Sequence, residues 1–225
     1  MCGLFAAFSN QESFLINKTK LISEVKSVMS HRGPNNTGIY INEDKTVVMI
    51  HTRLSIQELS SHANQPFLCP DNSHLIYNGE IYNAKYVTDS LNIRNPRSDT
   101  ELLSKLLCKG KQKHLKQIEG MYAFIKYSNE EKRITFGRDY FGEKPLYIYQ
   151  SNQFTFLFSE IQFLSIAKNF SNINLEKDMD SLTRFLLYGY RQVFTQDKGI
   201  SFFSNLKAVK PGSINTFDLE NGKIR

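Results

Sequence analysis

The chain begins with Met1-Cys2-Gly3-Leu4-Phe5-Ala6-Ala7-Phe8, an apolar run with the length of a buried strand. Cys2 follows the initiator methionine, which is commonly removed before a small side chain, so the cysteine would then carry a free α-amine. Such an amine has an ordinary pKa of about 7.7–8.0 and is partly unprotonated at neutral pH. A thiol beside its own base has the parts of an N-terminal nucleophile. Judged by its position alone, Cys2 is more often a small buried residue of a strand than a nucleophile.

Outward from this run, helices and strands follow one another without a repeat or a flexible linker. Residues 19–29 have apolar positions at helical spacing and end at His31-Arg32-Gly33-Pro34, while Ser98-Asp99-Thr100-Glu101 has the pattern of a helix capping box. Further helices are predicted for residues 83–91, 160–167 and 178–188, and strands for residues 2–8, 47–54, 73–78, 121–127, 133–139, 147–150 and 154–158, before a hairpin in residues 214–225. This order predicts an α+β layered fold with antiparallel strand pairs.

The composition, with 40% hydrophobic and 22% charged residues in a chain of 225, is typical of one large globular domain or two small ones. No apolar stretch approaches the roughly 18 residues of a membrane helix, and the N-terminus lacks a secretory signal. Three scattered cysteines fit no disulfide framework, so we expect a cytoplasmic protein without a membrane partner. The net charge is +6, and the one dense cluster of basic residues in the sequence consists of Lys109, Lys111, Lys113, His114 and Lys116. We expect a solvated face there and no nucleic-acid binding.

Three polar positions could serve a substrate that is an amino-acid amide. Arg53 ends a predicted strand and could hold a carboxylate, although a surface ion pair is the commoner role. Asn78-Gly79 could supply an amide and a backbone N–H to an oxyanion, although Asn-Gly most often forms a plain turn. Asp99 could accept an ammonium group, although helix capping alone would explain it.

Competing catalytic patterns are weaker. His31 and His51 are the candidates for a Cys–His pair, but neither lies in a matching local motif. The cysteines and histidines match no zinc-ligand spacing, and we predict no metal site. Neither a phosphate-binding loop nor a dinucleotide-binding glycine pattern is present.

Eight motifs follow one another along the chain. They are Met1-Cys-Gly-Leu-Phe5, His31-Arg-Gly-Pro34, Arg53-Leu-Ser-Ile56, Asn64-Gln-Pro-Phe67, Asn78-Gly-Glu-Ile-Tyr-Asn83, Ser98-Asp-Thr-Glu101, Gly120-Met-Tyr-Ala-Phe124 and Arg138-Asp-Tyr-Phe-Gly-Glu-Lys-Pro-Leu-Tyr147. Together these motifs resemble the class II glutamine amidotransferases, and more narrowly the glutaminase part of glutamine-dependent asparagine synthetases. Pro34 and Leu54 resemble the asparagine synthetase branch, since relatives acting on sugar phosphates typically lack this proline and have an aromatic residue in place of Leu54.

The resemblance implies an N-terminal nucleophile hydrolase fold, a four-layer αββα sandwich of two mainly antiparallel sheets. It also implies that Cys2 attacks the side-chain amide of glutamine and forms a thioester, with Asn78 and the Gly79 N–H holding the oxyanion. The remaining roles it implies concern binding of the substrate: Arg53 for the α-carboxylate, Asp99 and Glu80 for the α-ammonium, and Leu54, Ile56 and Gln57 for the pocket wall.

The resemblance further implies how the chain is organised and what it works with. Residues 1–210 are expected to form the glutaminase domain, and residues 211–225 an exit hairpin toward a synthetase domain that is not part of these 225 residues. ATP and Mg²⁺ are expected only in that synthetase domain, and no cofactor is expected in this chain. The expected partner is a synthetase domain or a separate synthetase chain. A catalytically silent glutamine-binding or regulatory module, and a standalone glutaminase subunit with another acceptor, remain alternatives.

Overall fold

A computed structural model describes residues 1–9, 18–55, 60–94, 96–108, 112–151, 153–168, 172–189, 193–194 and 199–225. The strands are β1 Gly3–Phe8, β2 Asn36–Ile41, β3 Val47–Arg53, β4 Phe67–Leu68, β5 His74–Ile81, β6 Gly120–Ser128, β7 Arg133–Arg138, β8 Tyr147–Gln150, β9 Thr155–Phe158, β10 Val193–Phe194, β11 Gly199–Ile200, β12 Leu206–Ala208 and β13 Ile214–Asp218. The helices are α1 Lys18–Met29, α2 Ala84–Ser90, α3 Asp99–Leu106, α4 Leu164–Ala167 and α5 Met179–Tyr188.

Two antiparallel sheets contain these strands. The first sheet has the order β10-β11-β12-β8-β9-β1-β3-β2, and the second has the order β13-β7-β6-β5-β4. β1 lies inside the first sheet, between β9 and β3, and all six of its residues are buried. Leu4, Ala6 and Phe8 face one hydrophobic cluster, and Phe5 and Ala7 face another. Burial on both faces explains why its sequence is continuously apolar rather than alternating.

Three hydrophobic clusters separate four layers. One cluster lies between the two sheets and includes residues of β1, β3, β6 and β7. A second joins the outer face of the first sheet to α1 and α4. A third joins the outer face of the second sheet to α2 and α3. The predicted α+β fold with an αββα layer order is therefore confirmed, and every strand pairing in the described residues is antiparallel.

Most predicted elements are confirmed within a few residues, and the local signals act as expected. Ser98 Oγ accepts the Glu101 N–H at 3.2 Å at the start of α3. The predicted final hairpin is present, with Phe217 of β13 paired with Ile224. The first strand begins at Gly3 rather than at Cys2, since strand pairing starts with Gly3 opposite Thr52. Five strands had no sequence prediction: β2, β4, β10, β11 and β12.

The antiparallel pairing of β1 with β3 places the start of the chain beside the end of β3. The start of α3 approaches the same end of the molecule through a hydrogen bond from Ile81 N, on β5, to Asp99 Oδ2 at 2.8 Å. None of the helices in the described parts of the chain is both long and apolar enough to cross a membrane.

Candidate active site

A cavity of about 380 Å³ opens where these segment ends meet. It brings together seven of the nine residues that the sequence suggested for the site, from four separate segments of the chain. Its lining includes Cys2, Arg53, Leu54, Asn78, Gly79, Glu80 and Asp99. The other two, Ile56 and Gln57, lie outside the described residues.

The Cys2 thiol lies against the end of β3. Its Sγ accepts the backbone N–H of Leu54 at 3.4 Å and lies 3.8 Å from the carbonyl oxygen of Leu54. The backbone N–H and carbonyl of Leu54 therefore both contact the sulfur and locate it at the end of β3. The backbone N–H of Cys2 donates to Asn78 Oδ1 at 3.1 Å, which ties the start of the chain to the second sheet.

Asn78 is 2% exposed, and its two amide atoms have different surroundings. Oδ1 accepts the Cys2 N–H, whereas Nδ2 is buried without a hydrogen-bond partner. A buried donor without an acceptor costs about 1–3 kcal/mol, so such groups are rare unless a ligand satisfies them. Asn78 also lines the cavity that contains the thiol, so a residue of the cavity wall has an unused amide donor.

The Gly79 N–H faces the same cavity for a reason that lies in the pairing of β5. Tyr122, opposite Gly79, uses its backbone groups on Asp139: Tyr122 N donates to Asp139 Oδ2 and Tyr122 O accepts Asp139 N–H. Gly79 therefore directs its own N–H to the outer edge of β5. On that edge, the Tyr77 N–H donates to the side chain of Gln65 and the Ile81 N–H donates to the side chain of Asp99. The Gly79 N–H lies between these two and has no acceptor among the described residues.

Two carboxylates, Asp99 and Glu80, stand at the next part of the cavity. Asp99 occupies the first turn of α3, and its Oδ2 accepts the Ile81 N–H. Partial burial raises the pKa of Asp99, the Ile81 hydrogen bond opposes the rise, and the nearby Glu80 carboxylate adds to it. A cation bound between these groups would relieve their repulsion, so this end of the cavity suits an ammonium group.

Arg53 is the last residue of β3 and is largely buried. Its Nη1 donates to the Ser60 carbonyl and to Asn64 Oδ1, both at 2.8 Å. These contacts hold the guanidinium in place on the cavity wall. A fixed, buried guanidinium suits bidentate binding of a carboxylate.

A sequence model of the family described as a glutamine amidotransferase domain matches residues 1–225. The chain belongs to this family. The amidotransferase domain is 29% identical over 220 residues to asparagine synthetase [glutamine-hydrolyzing] 1 of Bacillus subtilis, covering 95% of this chain and 33% of that protein. It is 30% identical over 223 residues to the putative asparagine synthetase [glutamine-hydrolyzing] 2 of Methanocaldococcus jannaschii, covering 91% of this chain and 42% of that protein. The chain thus spans less than half the length of these relatives.

Solved structures show the fold of the amidotransferase domain independently. Glutamine phosphoribosylpyrophosphate amidotransferase of B. subtilis matches the whole chain with a TM-score of 0.66 at 17% identity, and the match spans 49% of that chain. A structure described as the allosteric regulatory enzyme of purine biosynthesis matches with a TM-score of 0.68 at 18% identity, spanning 48% of that chain. The expectation of an N-terminal nucleophile hydrolase fold agrees with these neighbours.

The two histidines considered as partners for the thiol are placed elsewhere in the amidotransferase domain. His31 Nε2 lies 2.8 Å from Glu160 Oε2. His51 is fully buried, with Nε2 3.1 Å from the Tyr77 carbonyl, and burial lowers its pKa to about 3. In the described residues neither ring has a hydrogen bond to Cys2 Sγ, so a Cys–His pair lacks the contact that it requires.

Several residues around the site had no role in the sequence interpretation. Arg32 donates to the Cys2 carbonyl, and Gln65 joins Tyr77 N to Thr100 Oγ1 beneath the cavity. Lys144, largely buried, lines the cavity as well. Arg32, Gln65 and Lys144 lie in three of the eight motifs, and that membership was the one signal that could have singled them out.

Proposed function

We propose that the chain hydrolyses glutamine to glutamate and ammonia through a γ-glutamyl thioester on Cys2. The observation that carries the proposal is the convergence of three groups on one cavity: the Cys2 thiol, the unpartnered Asn78 Nδ2 and the outward Gly79 N–H. A thiol beside two donors is the arrangement that acyl transfer needs, because the carbonyl oxygen becomes an oxyanion in the transition state.

The proposed reaction balances with groups of the chain and one water. After removal of Met1, the α-amine of Cys2 takes the thiol proton, and the sulfur attacks the amide carbon of glutamine. Collapse of the oxyanion intermediate breaks the carbon–nitrogen bond, and the amine returns the proton so that ammonia leaves. Water, deprotonated by the same amine, then attacks the thioester, and glutamate leaves with the thiol restored.

The electrostatic surroundings support the amine as the base. In the structure the terminal α-amine is that of Met1: partial burial lowers its pKa, the Cys2 thiol opposes this, and the cations of Arg32 and Lys144 lower the pKa further. Nearby cations would act in the same direction on the α-amine of Cys2 once Met1 is removed. A lower pKa leaves more of the amine unprotonated at neutral pH. A reducing cytoplasm, which keeps the thiol free, suits this chemistry.

The acceptor of the ammonia belongs to the same proposal. We assign it to an asparagine synthetase-type amidation, in which ATP and Mg²⁺ act in the synthetase part. The relatives named asparagine synthetases support this, because each is more than twice as long as the segment that this chain matches. Ammonia released by the chain would serve a synthetase domain or a separate synthetase chain.

The decisive experiment is an acid quench of the purified chain, with Met1 removed, during incubation with glutamine. We expect glutamate release and, by mass spectrometry, a γ-glutamyl adduct on the peptide that contains Cys2. The Cys2→Ala variant serves as the control, because it should carry no adduct. Glutamine binding without adduct or glutamate would contradict hydrolysis and favour the silent binding module.

Asp99 gives a second prediction, concerning pH. The substrate ammonium requires an ionised carboxylate, so glutamine affinity should fall as pH falls through the pKa of Asp99, which lies above the ordinary value of about 3.9. Asp99→Asn should weaken binding about 10- to 100-fold and remove this pH dependence. Calorimetry on the Cys2→Ala background measures binding without turnover. Asp89→Asn, at an exposed site on α2, is the matched control; equal affinities in the two variants would exclude the role.

A further inference from the structure

Arg32 holds the carbonyl of Cys2 with two donors on one edge of its guanidinium. Its Nε and Nη2 donate to Cys2 O at 3.2 Å and 3.1 Å, and the side chain is 5% exposed. Arg32 lies on the turn after α1, where its N–H donates to Met29 O at 3.0 Å. Gly33 lets this turn press against β3, because a Cβ there would lie 2.5 Å from backbone atoms of Thr52 and Arg53.

This clamp acts on a residue that strand pairing does not include, in addition to the contacts of the Cys2 nitrogen with Asn78 and of its sulfur with Leu54. Strand pairing begins one residue later, with Gly3 opposite Thr52. Once Met1 is removed, Cys2 is joined to the protein through a single peptide bond, and rotation about its backbone would move the thiol. Fixing the carbonyl oxygen restrains that rotation and thereby the direction of the Cα–Cβ bond.

Glu160 in turn fixes Arg32. Its Oε1 lies 2.7 Å from Arg32 Nη1, and its Oε2 lies 2.8 Å from His31 Nε2. Glu160 follows β9, where Ser159 is bonded to Leu4 in both directions: Leu4 N donates to Ser159 Oγ at 2.9 Å, and Ser159 N donates to Leu4 O at 3.0 Å. The contacts form a closed ring from Cys2 through Arg32 and Glu160 to Leu4, and back along β1 to Cys2.

We propose that Glu160 is a positioning residue for the nucleophile, acting through Arg32 on the carbonyl of Cys2. The inference rests on the proposed glutamine hydrolysis and adds a residue that touches neither thiol nor substrate. Glu160 is separated from Cys2 by 158 positions in the sequence but is tied to it by side-chain contacts at two successive links. A carboxylate is the group that suits this place, since a buried guanidinium without a counter-charge would be strongly destabilising.

The charge of Glu160 also has an effect that simple packing would not have. Partial burial works to raise its pKa, but hydrogen bonds from Arg32 and His31 hold that pKa below the ordinary value, so Glu160 is ionised at neutral pH. For the terminal amine of Met1, partial burial lowers the pKa, the Cys2 thiol and Glu160 raise it, and Arg32 and Lys144 lower it. A nearby negative charge also raises the pKa of the Cys2 amine that removal of Met1 exposes. Removing the charge of Glu160 should therefore lower the amine pKa.

Glu160→Gln tests the proposal, because it keeps the size and an acceptor oxygen but removes the charge. We expect kcat for glutamine hydrolysis to fall roughly 10- to 100-fold, with KM within about threefold, since the substrate contacts are intact. The acid limb of the kcat profile should move to lower pH, and alkylation of Cys2 by iodoacetamide should slow. Glu160→Asp, which keeps the charge, should recover part of kcat and leave the acid limb nearer that of the wild type.

Two further variants and a fold check make the result unambiguous. Glu131 forms an exposed ion pair with Arg133 at 4.0 Å, and Glu131→Gln should leave kcat and the alkylation rate unchanged. His31→Ala should lower kcat much less than Glu160→Gln does. Thermal unfolding identifies any variant that does not fold; if Glu160→Gln is one, Glu160→Asp carries the test through its own kcat and alkylation. Wild-type rates in a folded Glu160 variant would overturn the inference alone. A wild-type chain that releases no glutamate would instead overturn the proposed function.

Discussion

Replacing Cys2 with alanine is expected to abolish glutamate release, with a loss on the order of 10⁶-fold in kcat where a nucleophile initiates the reaction. Glutamine should still bind, because Arg53, Asp99 and Glu80 are unchanged on the cavity wall. Glutamate release under saturating glutamine measures the first effect, and calorimetry measures the second. Residual hydrolysis at the wild-type rate would place the nucleophile elsewhere.

The other two cysteines provide matched controls. Cys69 is buried, and burial raises the pKa of its thiol to about 11, so it stays protonated at neutral pH. Cys108 Sγ donates to the Ser104 carbonyl at 3.3 Å, at the end of α3. Neither lines the cavity. Cys69→Ala and Cys108→Ala should therefore retain turnover, apart from small losses of stability.

Retention of Met1 should also cause a large loss of glutamine hydrolysis, here through the backbone nitrogen of Cys2 rather than its sulfur. In the chain with Met1, the nitrogen of Cys2 is an amide that donates to Asn78 Oδ1 and cannot accept a proton. The thiol is intact, so alkylation should still occur, whereas hydrolysis should lose the contribution of general-base catalysis, about 10²–10⁴-fold. Comparing the two forms separates the thiol from its base.

The fold was predictable where an element has one buried face or is buried on every face, because the apolar residues then form a clear pattern. β1 is apolar throughout because both faces are covered, and α3 is recognisable from its Ser98 cap. β2 escaped prediction because its residues are half-exposed throughout, so no alternating pattern forms, and because Gly38 interrupts it. That glycine is needed for a reason invisible in the sequence: a Cβ there would collide with the carbonyl of Gln65.

The site was predictable residue by residue only through the resemblance, since each candidate had a more common structural role. The structure supplies what no local pattern could contain. The outward direction of the Gly79 N–H follows from the hydrogen bonds between Tyr122, on β6, and Asp139, which follows β7. Arg32 and Glu160 are 128 positions apart in the sequence, and the chain of contacts from Glu160 to Arg32 and from Arg32 to Cys2 depends on three segments converging.

Asn78 is the other residue for which we expect a large effect, because its two amide atoms serve different purposes. Oδ1 accepts from the Cys2 nitrogen, and Nδ2 is buried without a partner, which leaves it available to the oxyanion of the proposed reaction. Asn78→Ala removes both, whereas Asn78→Asp keeps an acceptor for the Cys2 nitrogen and loses the donor. Loss of one oxyanion donor lowers kcat about 10²–10³-fold, so both variants should lose at least this much with little change in KM.

The pair of variants decides between two roles for the amide. If Asn78 acted only by orienting the Cys2 nitrogen, the aspartate variant would keep most of its kcat and the alanine variant would not. If Nδ2 binds the oxyanion, aspartate should be no better than alanine, because its carboxylate repels both the thiolate and the developing negative charge. Asn83→Ala is the control within the same motif: Asn83 bonds Gln117 O and Glu119 N, away from the cavity, so its loss should lower stability and leave kcat unchanged. Steady-state kinetics on the three variants, with unfolding temperatures alongside, therefore distinguish a donor to the transition state from a support for the nucleophile.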